Sequence, residues 1–387
     1  MVEKLIRRLE SVKNKNNYRK LSNYQAKIGK YIALAGIKYL NLASNDYLGI
    51  SVDNEILNEF YGTFNIDINK LGFSSASSRL LAGNPEVYQE LEENLAQFFE
   101  KEKAIVFNSG YHMNTGVVPA LTDKKDLILS DKLNHASIVD GILLSDAKYF
   151  RYKHLDYDEL DNYLLKHRDQ YENVFIITES LFSMDGDIAD LKKLVNIKKK
   201  YDCFLYVDEA HSVGVYGDGK GVAFAQGVID DIDILAGTFG KAFSSVGGFV
   251  LTNDLFYEII VNFSRSLIFT TALPPVVVLW NLFILKNMNS FDGRRKKLFE
   301  LTDYMRNYLN AVSLKTIGES YIIPYILGDT SITIQTSNFL KENKILAPAI
   351  RPPTVPEGTS RIRFSLNSQI DFEDIDNLIK ILKAGDV

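Results

Sequence analysis

The sequence predicts an α/β protein: a mainly parallel sheet covered by helices, with a smaller α+β domain assembled from the two ends of the chain. Three observations point there. From residue 104 onward, short apolar runs alternate with longer amphipathic stretches, a pattern that sets helices against both faces of a parallel sheet. After Pro274-Pro275 the alternation gives way to one long helical stretch and then to a mixed tail. At 387 residues, 46% of them hydrophobic, the chain has apolar material for one large core and a second, smaller one.

The segment before about residue 45 reads as a charged helix followed by a hairpin. The runs at 104–107, 127–129, 174–178, 204–207, 232–236 and 248–251 read as buried strands. Between two of them, 191–200 carries an apolar stripe at Leu191, Leu194, Val195 and Ile197, the spacing of a helix face. A long helix is expected from about residue 276. Strands at 321–327 and 360–366 and helices at 331–342 and 374–383 complete the tail. The expected division is an N-terminal arm, 1–45, packing with the small domain; a large domain, 46–275; and a C-terminal small domain with its connecting helix, 276–387.

Composition removes several classes of function. A net charge of −5 and a pI near 5.7 are the wrong sign for a nucleic-acid footprint. The single cysteine, Cys203, excludes an intramolecular disulfide and suits a reducing compartment. Its apolar neighbours, Phe204, Leu205 and Val207, mark it as a small core residue. The first ten residues are charged and hold no apolar signal segment. The greasiest stretch, 276–285, is interrupted by Asn281 and falls short of the ~20 residues a spanning helix needs. A cytoplasmic protein with no membrane or nucleic-acid partner and no metal site is expected.

Three strand ends finish in polar residues that a plain core would not need. They are Tyr206-Val207-Asp208-Glu209-Ala210-His211, Ala236-Gly237-Thr238-Phe239-Gly240-Lys241, and Ile177-Thr178-Glu179-Ser180 running on to Ser183. Functional groups of parallel sheets gather at such carboxyl ends. One carboxylate after an apolar strand is most often a helix cap, but this set fits pyridoxal phosphate. That cofactor takes a lysine amine, a carboxylate facing its pyridine nitrogen, and backbone donors for its phosphate. Lys241 would supply the amine and Asp208 the carboxylate. Asn108-Ser109-Gly110-Tyr111, directly after the run 104–107, would supply the phosphate cradle.

Ordered motifs strengthen this reading: Ser-Asn-Asp-Tyr-Leu-Gly (44–49), Leu-Asn-His-Ala-Ser (133–137), Phe-Ser-Met-Asp-Gly-Asp (182–187), Val-Asp-Glu-Ala-His (207–211), Thr-Phe-Gly-Lys-Ala (238–242) and Arg-Pro-Pro-Thr-Val-Pro-Glu-Gly-Thr (351–359). The chain resembles the α-oxoamine synthases, fold-type I pyridoxal-phosphate transferases that condense an amino acid with an acyl thioester. Within that family, Ala-Ile-Arg-Pro-Pro-Thr-Val-Pro (349–356) most resembles the branch that joins L-alanine to a pimeloyl thioester in biotin biosynthesis. A branch joining glycine to acetyl-coenzyme A is the alternative.

The resemblance implies roles position by position. Lys241 would bond pyridoxal 5'-phosphate covalently, Asp208 would pair with its pyridine nitrogen, and His135 would stack on its ring. His211 and Ser183 would bond the phenolic oxygen. Gly110, Tyr111 and Thr238 would hold the phosphate, with Thr270 or Thr271 contributed by the partner in a homodimer. Arg363 with Asn45 would bind the amino-acid carboxylate, and Arg19 and Thr354 the acyl substrate, carried on coenzyme A or acyl carrier protein. Arg361 and Arg363 are expected to point to opposite faces of the strand 360–366, leaving Arg363 for the carboxylate.

Two places depart from the family pattern: the run Phe73-Ser74-Ser75-Ala76-Ser77-Ser78-Arg79 stands where the family carries more glycine, and Ser212 follows the Asp-Glu-Ala-His run where glycine is common. A nucleotide-driven motor is the rival from another class, since Asp208-Glu209-Ala210-His211 also spells a helicase box. Gly214, Gly219 and Lys220 mimic a phosphate loop, but Gly221 stands where a magnesium-binding Ser or Thr is required.

Overall fold

The structure is a computed structural model that describes residues 2–14, 17–63 and 72–385. The chain divides into two units. The larger holds Asp53–Ser183 and Ile188–Arg295; the smaller holds Met1–Val52, Met184–Asp187 and Lys296–Val387.

The larger unit is organised by seven strands: β1 Lys103–Phe107, β2 Leu127–Asp131, β3 Lys148–Tyr152, β4 Val174–Glu179, β5 Phe204–Asp208, β6 Ile234–Thr238 and β7 Gly248–Thr252. Across the sheet they run β1-β7-β6-β5-β4-β2-β3. Strands β2 to β6 are mutually parallel, and β7 is antiparallel to both its neighbours. Ile105, Phe107, Ile128, Phe175, Ile177, Tyr206, Ile234 and Val250 form one core with the helix residues Met113, Val117, Ile138 and Ile260. On the opposite face by the two-residue alternation of a strand, Leu129, Ile176, Leu205, Val207 and Leu235 are equally buried. Burial on both faces is why these strands read as unbroken apolar runs.

The six expected strands are present, with β6 beginning two residues later than its apolar run. The sequence reading lacks β3. Its residues Lys-Tyr-Phe-Arg-Tyr lie at the sheet edge and only Tyr152 is buried, so no apolar run marks it. The expected helix at 191–200 is Leu191–Tyr201, opened by the Asp190 carboxylate, which accepts from the Lys193 N–H at 3.0 Å. The expected long helix from residue 276 is instead two. Pro275–Lys286 ends at Asn287, a 3-10 turn covers Met288–Phe291, and a second helix runs Asp292–Ala311. Asn287 and Ser290 mark the break, the Asn287 amide donating to the Phe283 carbonyl at 3.0 Å and the Ser290 hydroxyl to the Asn287 carbonyl at 2.7 Å, side-chain bonds that compete with the helical ladder. Among the described residues no helix is long and apolar enough to cross a membrane.

In the smaller unit, Tyr31–Leu34 and Ile37–Asn41 form the expected hairpin, and Ile345–Leu346 adds a parallel strand. The hairpin turns through Ala35 and Gly36, both at positive φ (51° and 79°), which matches the twist of the paired strands. A second sheet sets Ser360–Ser365 between Ile322–Gly328 and Ala349–Ile350, antiparallel to both. The segment Met184–Asp187 is bonded to this unit. The Gly186 carbonyl accepts from the Glu319 and Ser320 N–H groups at 3.0 Å each. A Cβ on Gly186 would sit 2.2 Å from the Ile322 carbonyl oxygen, so only glycine fits there.

Candidate active site

The larger unit brings its candidate residues to the carboxyl ends of β4, β5 and β6. Asp208 closes β5 and is 4% exposed. Its Oδ1 accepts from the Ala210 N–H at 2.9 Å and its Oδ2 from the Asn114 side-chain amide at 2.8 Å. Both carboxylate oxygens are therefore held, which is how a buried charge is retained. His211 is buried three residues on. Lys241, half-buried, follows β6 in a tight loop. There the Ser244 N–H bonds the Lys241 carbonyl at 2.8 Å, Ser245 N–H bonds Phe239 O at 2.9 Å, and Phe239 N–H bonds Gly247 O at 3.0 Å. Thr238 braces the same loop, its hydroxyl donating to Gly247 O at 2.8 Å and accepting from Gly240 N–H at 3.1 Å.

His135 opens the helix Ala136–Leu144. Its Nδ1 accepts the Ser137 N–H at 3.2 Å and lies 2.7 Å from the Ser137 hydroxyl. Nδ1 is thus an acceptor, which leaves Nε2 to carry the proton of the neutral ring. The ring is partly open to solvent. What water it has lost lowers its pKa below the usual histidine value, opposed by Asp208 and reinforced by Lys241. A neutral imidazole with a free N–H is a hydrogen-bond donor suited to an oxygen that gains charge.

The sequence reading assigned no role to Glu179. It ends β4 directly beside Asp208 and is 3% exposed. Its carboxyl accepts from the His135 N–H at 2.6 Å, and its own N–H is bound by Asn134 at 3.1 Å. Burial, with Asp208 as neighbour, pushes its pKa well above the carboxylate range despite the opposing pull of Lys241. The polar run after β4 was a signal for it, but a signal equally of a cap. Glu209 is buried too, and accepts from Ser180, from Ser212 and from the Val222 and Ala223 N–H groups at 3.0 and 2.7 Å. Burial pushes it up to about 7 against these bonds. Ser212, the departure from glycine, therefore spends its hydroxyl inside this cluster.

The segment expected as the phosphate cradle is the start of the helix Gly110–Leu121. Ser109 caps it, its hydroxyl accepting from the His112 N–H at 3.1 Å. The first N–H groups of a helix have no intrahelical acceptor and point at whatever anion binds there. Gly110 lies against Thr238, whose Cβ would be 3.6 Å from a Cβ added to the glycine. The Tyr111 phenol is exposed and bonded to Asp140. Asn108 donates to the Thr270 hydroxyl at 3.2 Å and the Thr271 carbonyl at 2.6 Å, so both threonines stand beside the cradle of their own chain. Ser183, half-buried, closes the larger unit's stretch before Met184.

The smaller unit holds the other candidates. Arg363 is 6% exposed; its two Nη atoms reach Asn45 Oδ1 at 3.3 and 3.2 Å, and Nη1 reaches Ser365 Oγ at 2.7 Å. Tyr47 donates to the same Asn45 oxygen at 3.2 Å, and burial pushes its phenol up to about 12 against the pull of Arg363. The expectation that Arg361 and Arg363 point to opposite faces is corrected. Residues two apart on a strand share a face, and what separates the two is their partners. Arg361, 3% exposed, is paired with Asp185 at 2.6 Å and bonds the Met184 and Thr359 carbonyls. Arg19 and Thr354, 335 positions apart, meet at 3.2 Å on the surface of this unit.

A helix N-terminus for an anion, a buried carboxylate for a cationic ring nitrogen and a nearby lysine amine are the donor set pyridoxal phosphate takes. The chain belongs to the aminotransferase class I and II family, whose family model matches residues 37–382, and its fold is that of the fold-type I pyridoxal-phosphate transferases. Within that class it is similar to 8-amino-7-oxononanoate synthase of Chlorobaculum parvum, 44% identical over 385 residues, 99% of this chain and 98% of that one. Among solved structures it resembles a variant of the serine palmitoyltransferase of S. paucimobilis carrying a PLP–myriocin aldimine (TM-score 0.90, 28% identity, 98% and 96% of the two chains). It also resembles 8-amino-7-oxononanoate synthase of Francisella tularensis (TM-score 0.75, 31% identity, 90% and 99%). The chain is an enzyme, a pyridoxal-phosphate-dependent acyltransferase of the α-oxoamine synthase kind.

Proposed function

We propose that the enzyme condenses L-alanine with a pimeloyl thioester, on coenzyme A or acyl carrier protein, to give 8-amino-7-oxononanoate for biotin biosynthesis. The observation that carries this is the strand-end set of the larger unit, Asp208 held at both oxygens beside His135 and Lys241. Similarity to the C. parvum synthase over nearly the whole chain supports the choice of substrates.

Bound pyridoxal phosphate supplies an electron sink for charge developing at the α-carbon of the amino acid. Lys241 would hold the cofactor through its Nζ, which as a free amine would be the base for the α-proton of alanine. Asp208 would pair with the pyridine nitrogen of the cofactor and favour its protonated form. His211 and Ser183 would bond the phenolic oxygen, while Gly110, Tyr111 and Thr238 would hold the phosphate. Arg363 with Asn45 binds the alanine carboxylate through paired hydrogen bonds. His135 would cover the cofactor ring, and its Nε2–H would donate to the thioester oxygen as the new carbon–carbon bond forms. Arg19 and Thr354 contact the acyl chain. The thiol carrier and carbon dioxide leave.

A cytoplasmic homodimer is part of the proposal. The exposed Phe73, Leu81, Phe263 and Phe269 support association, and Thr270 or Thr271 would serve the partner's phosphate. A product assay tests the reading: purified enzyme is offered alanine, glycine and serine with acetyl, pimeloyl and palmitoyl thioesters. 8-Amino-7-oxononanoate from alanine and the pimeloyl thioester is the expected product. Preference for glycine with acetyl-coenzyme A, or for serine with a long acyl chain, contradicts it.

A further inference from the structure

Asn114 lies one turn into the helix Gly110–Leu121 and is 1% exposed. Its side-chain amide makes two donations, to Asp208 Oδ2 at 2.8 Å and to Ser137 Oγ at 2.9 Å. Its carbonyl oxygen accepts the phenol of Tyr206, two residues before Asp208 on β5. The Asp208 carboxylate, which can only accept, fixes which end of the carboxamide faces it, and the Tyr206 phenol holds the other end by donating to its oxygen. Having accepted from Asn114, the Ser137 hydroxyl has its proton for His135 Nδ1, 2.7 Å away. One buried amide thus stands between the two groups that face the cofactor. The helices Gly110–Leu121 and Ala136–Leu144 pass closely at Gly141, where a Cβ would lie 2.5 Å from the backbone carbonyl oxygen of Asn114.

Resting on the function proposed above, we infer that Asn114, locked by Tyr206, is a positioning residue: it sets the orientation of the Asp208 carboxylate toward the pyridine nitrogen and, through Ser137, steadies the His135 ring. Without it Asp208 Oδ2 loses a buried donor and the carboxylate is free to rotate, which weakens its pairing. Side chains that orient a reacting group from behind act on rate more than on substrate affinity.

The test is a double-mutant cycle on the full chain loaded with pyridoxal phosphate. Asn114→Leu, close in volume and without hydrogen bonds, should lower kcat by about tenfold or more with KM for alanine and thioester held within about twofold. It should also shift the visible absorbance of the bound cofactor, a readout independent of turnover. In an Asp208→Asn background the same change should have little further effect, because Asn114 acts through Asp208. Tyr206→Phe, which keeps both amide donors but removes the phenol that holds the carboxamide oxygen, should give a smaller loss of the same kind and serves where Asn114→Leu does not fold. An equal loss in both backgrounds, or unaltered absorbance and kcat in the folded variants, overturns the inference. Absence of condensation in the unmutated enzyme would instead overturn the proposed function, and the absorbance arm would still decide the role of Asn114.

Discussion

The two strand arginines give the sharpest separation of a substrate contact from a structural one. Arg363→Lys keeps the charge but exchanges a planar fork for a point charge. In the structure the fork spans both Nη atoms onto Asn45 Oδ1, at 3.3 and 3.2 Å, with Nη1 also on Ser365. A lysine cannot bridge Asn45 and a carboxylate in the same plane, so at least one charge-assisted bond is lost. Such a bond is worth about 1.5–3 kcal/mol, and even the lower end raises KM for alanine by about tenfold, since ~1.4 kcal/mol is a factor of ten. KM for the thioester should stay within about twofold. Arg361→Met has the opposite profile: it leaves the Asp185 carboxylate, paired at 2.6 Å with a side chain 4% exposed, without its guanidinium. Removing one partner of a buried pair costs about 3–5 kcal/mol, read as an earlier urea transition with alanine affinity retained. Alanine titrations followed by cofactor absorbance, beside urea melts of both variants, make the comparison. Weakened alanine binding in the Arg361 variant alone would reverse the assignment, and unchanged binding in both would remove the clamp.

Two further outcomes follow from the buried carboxylates. Asp208→Asn should retain the cofactor but slow removal of the α-proton of alanine by about a hundredfold or more, ~2.7 kcal/mol; exchange of that proton with deuterium measures it, and a near-parental rate would place the pyridine partner elsewhere. Glu209, pushed up from 4.5 to about 7 by burial, keeps a proton in the folded chain that the unfolded chain has already released. Its contribution therefore falls as pH rises from about 4.5 to about 7 and is flat above, a change of up to about 3 kcal/mol. Urea melts across that range should show a smaller decline in Glu209→Gln than in the parent; an equal decline would mean that Glu209 does not carry the effect.

The strand ends were legible because a buried strand is apolar until its last residue, so Asp208, Thr238 and the loop to Lys241 stood out against their runs. The turn Asn108-Ser109-Gly110-Tyr111 after β1 was legible for the same local reason. Strand β3 was not, because at an edge Lys148 and Arg151 can face water and the apolar signature disappears. The break at Asn287 was hidden by the apolar residues before it. Glu179 looked like any polar strand terminus until β4 and β5 paired it with Asp208. Asn114 was beyond reach of local pattern altogether: its partner Asp208 is 94 positions away, and only the packing of a helix over β5 brings them together. The arginine pair was misread by an error of period, corrected once the strand register is in view.

Every residue role proposed above depends on Lys241 being the lysine that carries the cofactor. Borohydride reduction of the enzyme loaded with pyridoxal phosphate, followed by peptide mass mapping, tests this most directly. The pyridoxyl group should be found on Lys241, in the peptide that contains Thr238-Phe239-Gly240. Its appearance on any other lysine, with Lys241 unmodified, would contradict the account.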